Sequence, residues 1–100
     1  MQMDETGPVK ATIWVHGRVQ GCGFRWWTRA RALELGLVGH ARNATHGRVE
    51  IIAQGEAAQI RQLVALLEER PSQHHRPGEV SDCVATFGPA HDGLVGFVEK

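Results

Sequence analysis

Gly17, Gly21 and Gly23 fall within seven residues of one another in the stretch VHGRVQGCGFR, and Arg25 closes it. A strand-like run precedes this turn and a helix-like run follows it. Such a junction points unpaired main-chain N–H groups and the positive end of a helix dipole at one small volume, which suits an anion. A cation in the first turn of a helix opposes that dipole. Arg25 makes electrostatic sense there if its guanidinium reaches back to share an anion with those amides. Arginine suits phosphate in particular, because its planar fork makes paired hydrogen bonds and stays charged at any working pH. A glycine-rich turn is also a common connector, and a first-turn arginine a common surface residue, so the turn taken alone leaves both readings open.

Other chemistries fit the same residues less well. GRVQGCGF lacks the Gly-Lys-Ser/Thr ending of a nucleotide P-loop, and its glycines fall at the wrong offsets for a dinucleotide fingerprint. Cys22 at a helix N-terminus raises the idea of a thiolate nucleophile. The cysteine phosphatases, however, place a longer wrap of residues between Cys and Arg than the two that separate Cys22 from Arg25. Cys22 is therefore read as a small side chain filling the loop. The six histidines are scattered, His74 and His75 being adjacent in a polar loop, with no ligand spacing on one element, so no metal and no cofactor are expected.

The elements that must position this turn are legible from periodicity. One hundred residues suffice for one domain that buries roughly two-thirds of its unfolded surface. Residues 1–8 are polar and unpatterned and read as a flexible arm, with a single domain over 9–100. Val9, Ala11, Ile13 and Val15 alternate with Lys10, Thr12, Trp14 and His16, the period of a strand with one buried face that ends near His16. FRWWTRARALELG reads as a helix stopped by Gly36. Its apolar residues form two sets, Phe24, Trp27, Thr28 and Leu35 against Trp26, Ala30 and Leu33, and the pattern does not say which tryptophan is buried. LVGHARNA and RVEIIAQG read as a hairpin around THG. EAAQIRQLVALLEER carries Ala57, Ile60, Leu63, Val64 and Leu67 at helical spacing and stops at Pro71. EVSDCVATFG is a further strand, and LVGFVE a possible short C-terminal edge strand. The order predicts an α+β, ferredoxin-like split βαβ sandwich (βαββαβ), with a four-stranded antiparallel sheet and both helices on one face. The other face meets water, which accounts for the alternation.

Charge and apolar content narrow the partners. Lys plus Arg equals Asp plus Glu at 11 each, so no net field gathers nucleic acid or an anionic membrane. No apolar run reaches the ~18 residues of a membrane span, and the acids and Pro8 of the first stretch are unlike a signal peptide, so a cytoplasmic monomer is expected. Two cysteines do not make a disulfide framework. An RNA-recognition module shares the βαββαβ plan but needs exposed rings on its central strands. Here Trp14 is offered by the first strand, while Arg48, Glu50, Ile52 and Gln54 face outward on the third. A regulatory small-ligand module of the same topology is not distinguished by fold alone.

GRVQGCGFR resembles the acylphosphatase signature G-x-V-Q-G-V-x-F-R, with Cys22 where the family usually has Val. Downstream, LGLVGHARNATHGRVEIIAQG is similar to the family's second signature, its Asn, Gly, Val and Gly represented by Asn43, Gly47, Val49 and Gly55 at matching spacing, with His40 in place of the usual aromatic residue. The resemblance covers nearly the whole chain and implies the same split βαβ plan. It implies hydrolysis of small acyl phosphates such as acetyl phosphate, carbamoyl phosphate or 1,3-bisphosphoglycerate. The amides of Gly17, Arg18, Val19, Gln20, Gly21, Cys22 and Gly23 would cradle the phosphate, Arg25 would bind it as the catalytic cation, and Asn43 would orient the attacking water. By itself an Asn before a turn is a residue that caps local backbone. The resemblance also implies that the water's proton passes to the substrate's own phosphate, and a free-standing enzyme is expected, because the chain stops soon after the domain.

Overall fold

The computed structural model describes residues 7–100. Most of the expected N-terminal arm, 1–8, therefore lies outside the described residues. Strand β1 (Val9–Arg18) is followed by helix α1 (Phe24–Glu34), strand β2 (Val38–Asn43), a 3-10 turn (Thr45–Gly47), strand β3 (Val49–Gly55), helix α2 (Ala57–Glu68), strand β4 (Glu79–Pro89) and strand β5 (Phe97–Glu99). Alternation in the sequence becomes a one-sided core. Ala11, Ile13 and Val15 are fully buried and stand opposite Ala53, Ile51 and Val49, also fully buried, while Lys10, Thr12 and Trp14 turn to the open face. On α2, Ile60, Leu63 and Leu67 are the buried residues, at the spacing of one helical face.

The strand order is β4-β1-β3-β2-β5. Its first four members are antiparallel neighbours, as the split βαβ plan requires, but β5 pairs with β2 in parallel through Gly39 to Phe97 and Ala41 to Glu99. The expected four-stranded antiparallel sheet is thus corrected to a mixed five-stranded one. The physical reason is the path of the chain after β4: it crosses from one edge of the sheet to the other and brings β5 alongside β2 in the same direction. Phe97 is buried there, and the Arg29 guanidinium of α1 donates to its main-chain oxygen at 2.9 Å.

Helix α1 settles the choice between its two apolar sets. Phe24, Trp27, Thr28 and Ala32 are buried, with Trp27 only 3% exposed, whereas Trp26 is 62% exposed and Leu33 also faces out. Trp27 stacks on Phe24 with ring centroids 6.3 Å apart, and its indole N–H donates to the main-chain oxygen of His74 at 2.8 Å. That bond joins α1 to the loop between α2 and β4. The same loop is fixed from its other side by Arg76, whose guanidinium donates to the oxygens of Leu66, Leu67 and Glu69 and so satisfies carbonyls at the C-terminal end of α2. Among the described residues, no helix is long and apolar enough to cross a membrane.

Candidate active site

The turn between β1 and α1 begins inside the sheet. Gly17 and Arg18 belong to β1, opposite Val80 and Glu79, and the register shifts between His16 and Gly17, so the strand runs beyond the expected end near His16. The extra residue is Ser81 of β4, and such a bulge sharpens the local twist while Gly17 and Arg18 stay paired. A β-carbon on Gly17 would lie 2.1 Å from the Glu79 oxygen, so the close approach admits only glycine. The loop proper therefore starts at Val19, whose side chain is buried and anchors it to the core. Gly23 ends the loop as the residue before α1, in the left-handed region at φ 88°, and provides no side-chain cap.

The absence of a cap leaves donors unused. The first main-chain bond of α1 runs from the Trp27 N–H to the Gly23 oxygen, and the N–H groups of Gly21, Cys22, Gly23, Phe24, Arg25 and Trp26 have no protein partner among the described residues. Apart from Cys22, these residues line a hollow of about 60 Å³, together with Val19 and Glu99. A compact group of a few heavy atoms fits a hollow of this size. The Arg25 guanidinium donates to the main-chain oxygen of Lys100, whose own N–H donates to the Ala41 oxygen at 2.8 Å. Arg25 is thereby held beside the end of β2.

The residues singled out in the sequence fall into distinct groups. Gly21, Gly23 and Arg25 come together at the hollow. Arg18 points away, in an exposed ion pair with Glu79 at 2.8 Å. Cys22 is exposed and does not line the hollow; it borders the groove behind the loop with Gly78 and Gly47, its Sγ 3.9 Å from the Arg18 oxygen. Gln20 turns its side chain outward too. Its amide donates to the main-chain oxygens of Ala44 at 2.9 Å and Arg48 at 2.8 Å. Asn43 is exposed at the end of β2 and does not line the hollow. It is bracketed all the same: Gln20 holds the next residue, Ala44, while the Lys100 link from Arg25 holds Ala41.

The role of Arg48 was not legible in the sequence. Its guanidinium lies 4.4 Å from the centre of the Trp14 ring and donates to the Thr45 oxygen at 3.0 Å, riveting the turn after Asn43 onto the open face of the sheet. Position gives the only signal, since Arg48 immediately precedes the strand next to the one that carries Trp14. On the same face Glu50 accepts from Arg42 at 2.6 Å and lies 3.4 Å from His40. Burial alone would raise the Glu50 carboxyl; the hydrogen bonds and charges of Arg42 and His40 outweigh it and hold the group below its ordinary 4.5. Among the described residues, no group of three or more His, Cys, Asp or Glu side chains is placed to hold a metal ion.

With this geometry in hand, the family model for acylphosphatase matches residues 11–98. A protein named acylphosphatase from Mycolicibacterium vanbaalenii is 49% identical over 92 residues, spanning 92% of this chain and 95% of that one. A second of that name, from Nocardia farcinica, is 50% identical over 93 residues, spanning 93% of this chain and 89% of its own length. Among solved structures, that of an acylphosphatase from Coxiella burnetii superposes with a TM-score of 0.80 at 30% identity and covers 100% of both chains. The fold class is thus the acylphosphatase-like α+β sandwich. The chain belongs to the acylphosphatase family.

Proposed function

We propose that this chain hydrolyses small acyl phosphates to a carboxylate and inorganic phosphate. The observation that carries this reading is the small hollow at the head of α1, lined by residues with unpartnered main-chain N–H groups and by Arg25. The phosphoryl oxygens take the N–H groups of Gly21 to Trp26 and the Arg25 fork in place of the Lys100 oxygen. In the reaction, the oxygen of a water bonds to phosphorus as the bond between phosphorus and the bridging oxygen breaks. The electron pair of that bond leaves with the carboxylate, and the water's proton passes to a phosphate oxygen. A carboxylate is a weak base and leaves without a strong general acid. The loose transition state of phosphoryl transfer makes positioning and charge stabilisation the main requirements. Amides and Arg25 meet the charge, each strong donor lowering the barrier by about 3 kcal/mol. Asn43, held between two tethered neighbours, positions the water. All these groups lie on one chain, so a monomer suffices.

Phosphate release from acetyl phosphate, with phenyl phosphate as the phosphomonoester control, tests the reading. Rapid release from the acyl phosphate and little from the monoester is expected. Release from acetyl phosphate no faster than in buffer would remove the proposal.

A further inference from the structure

The hollow holds a phosphoryl group and little else, so the acyl part of a substrate must leave it along the rim. Trp26 forms part of that rim, directly after Arg25 in the first turn of α1. It is the most exposed tryptophan: Trp27 is buried in the core, and Trp14 is half-buried beneath Arg48. Leaving so much of an indole in water forgoes a large apolar burial, and Trp26 makes no hydrogen bond among the described residues that would explain its position.

We infer that the face of Trp26 is the platform on which the acyl group rests, so the site favours acyl phosphates with a flat acyl group. This rests on the hydrolytic reading above. A planar acyl group lies along the indole face by offset stacking. Aromatic contact of this kind is worth roughly three- to ten-fold in binding.

Two measurements on the full chain test it. The first compares kcat/KM for benzoyl phosphate and acetyl phosphate in the wild type, Trp26→Ala and Trp26→Phe. The second compares binding of phenethylphosphonate and ethylphosphonate by calorimetry, which needs no turnover. The benzoyl-to-acetyl ratio is expected to fall about three- to ten-fold in Trp26→Ala and to be largely kept in Trp26→Phe, with the preference for phenethylphosphonate falling in parallel. A wild type that hydrolyses acetyl phosphate but whose ratio and phosphonate preference are untouched by Trp26→Ala would overturn the platform and leave hydrolysis standing. A wild type that hydrolyses neither compound, yet loses its phenethyl preference on Trp26→Ala, would overturn hydrolysis and leave the platform standing. Equal losses on both substrates in Trp26→Ala would assign Trp26 to structure alone.

Discussion

The side-chain amide of Gln20 lies 2.8 Å from the main-chain oxygen of Arg48, which ties the glycine loop before α1 to the turn that follows Asn43. The same nitrogen serves the Ala44 oxygen at 2.9 Å, so both amide protons are used. Gln20→Met keeps the length and removes both donors. It is expected to lower stability by about 1 kcal/mol, since exposed neutral hydrogen bonds contribute little. Turnover should fall by a larger factor than that loss suggests, because the loop loses its register against Asn43. Thermal melts read beside kcat/KM check this, and wild-type turnover in Gln20→Met would refute the coupling.

Asn43 stands outside the phosphoryl hollow, so its contribution should appear in kcat and not in phosphate affinity. Asn43→Ala is expected to reduce kcat by about a hundredfold, the scale of a misplaced nucleophile, while competitive inhibition by inorganic phosphate keeps its wild-type constant. Weakened phosphate inhibition would mean that Asn43 binds the phosphoryl group instead of aiming the water.

The two thiols differ in environment. Burial pushes the Cys83 thiol up to about 11, whereas Cys22 is exposed beside the loop. At about pH 8 only about one Cys83 in a thousand is a thiolate, so an alkylating reagent should modify Cys22 in the native protein and reach Cys83 only after denaturation. Peptide mapping of the modified protein reads the order, and simultaneous labelling in the native state would contradict it.

Glu50 contributes a pH dependence of stability. Its folded value lies below the ordinary 4.5 of the unfolded chain, so its contribution is fully present above that ordinary value and is lost as pH falls through the lowered folded one. The melting temperature of the wild type should therefore exceed that of Glu50→Gln at neutral pH, by an amount equivalent to about 1–2 kcal/mol, and the gap should close under strongly acidic conditions. Melts of both proteins between about pH 7 and pH 3 test the sign; a gap that widens on acidification would reverse the argument.

Much of the fold follows from local pattern. Ala11, Ile13 and Val15 alternate cleanly because one face of β1 is buried, and Ile60, Leu63 and Leu67 recur at helical spacing because one face of α2 is buried. Where two patterns compete in one segment, as with Trp26 and Trp27, only the sheet beneath α1 decides. The parallel pairing of β5 with β2 involves a strand of three residues, too short for any periodicity, and it depends on a non-local crossing of the chain. At the site, glycine spacing and Arg25 are legible because they act through the backbone and through charge. The side chain of Gln20 is not, since its partners are main-chain oxygens more than twenty residues away. Arg76 was equally hidden, because a polar loop gives no sign that one arginine will turn back onto the carbonyls of α2.

The claim on which the rest depends is that a phosphate sits between the amides at the head of α1 and the guanidinium of Arg25. Titrating inorganic phosphate while following the amide resonances of the wild type and of Arg25→Ala tests it most directly. The account predicts saturable shifts at Gly21 to Trp26 in the wild type, lost in Arg25→Ala. Shifts confined to other residues, or shifts at Gly21 to Trp26 that persist unchanged without Arg25, would contradict it.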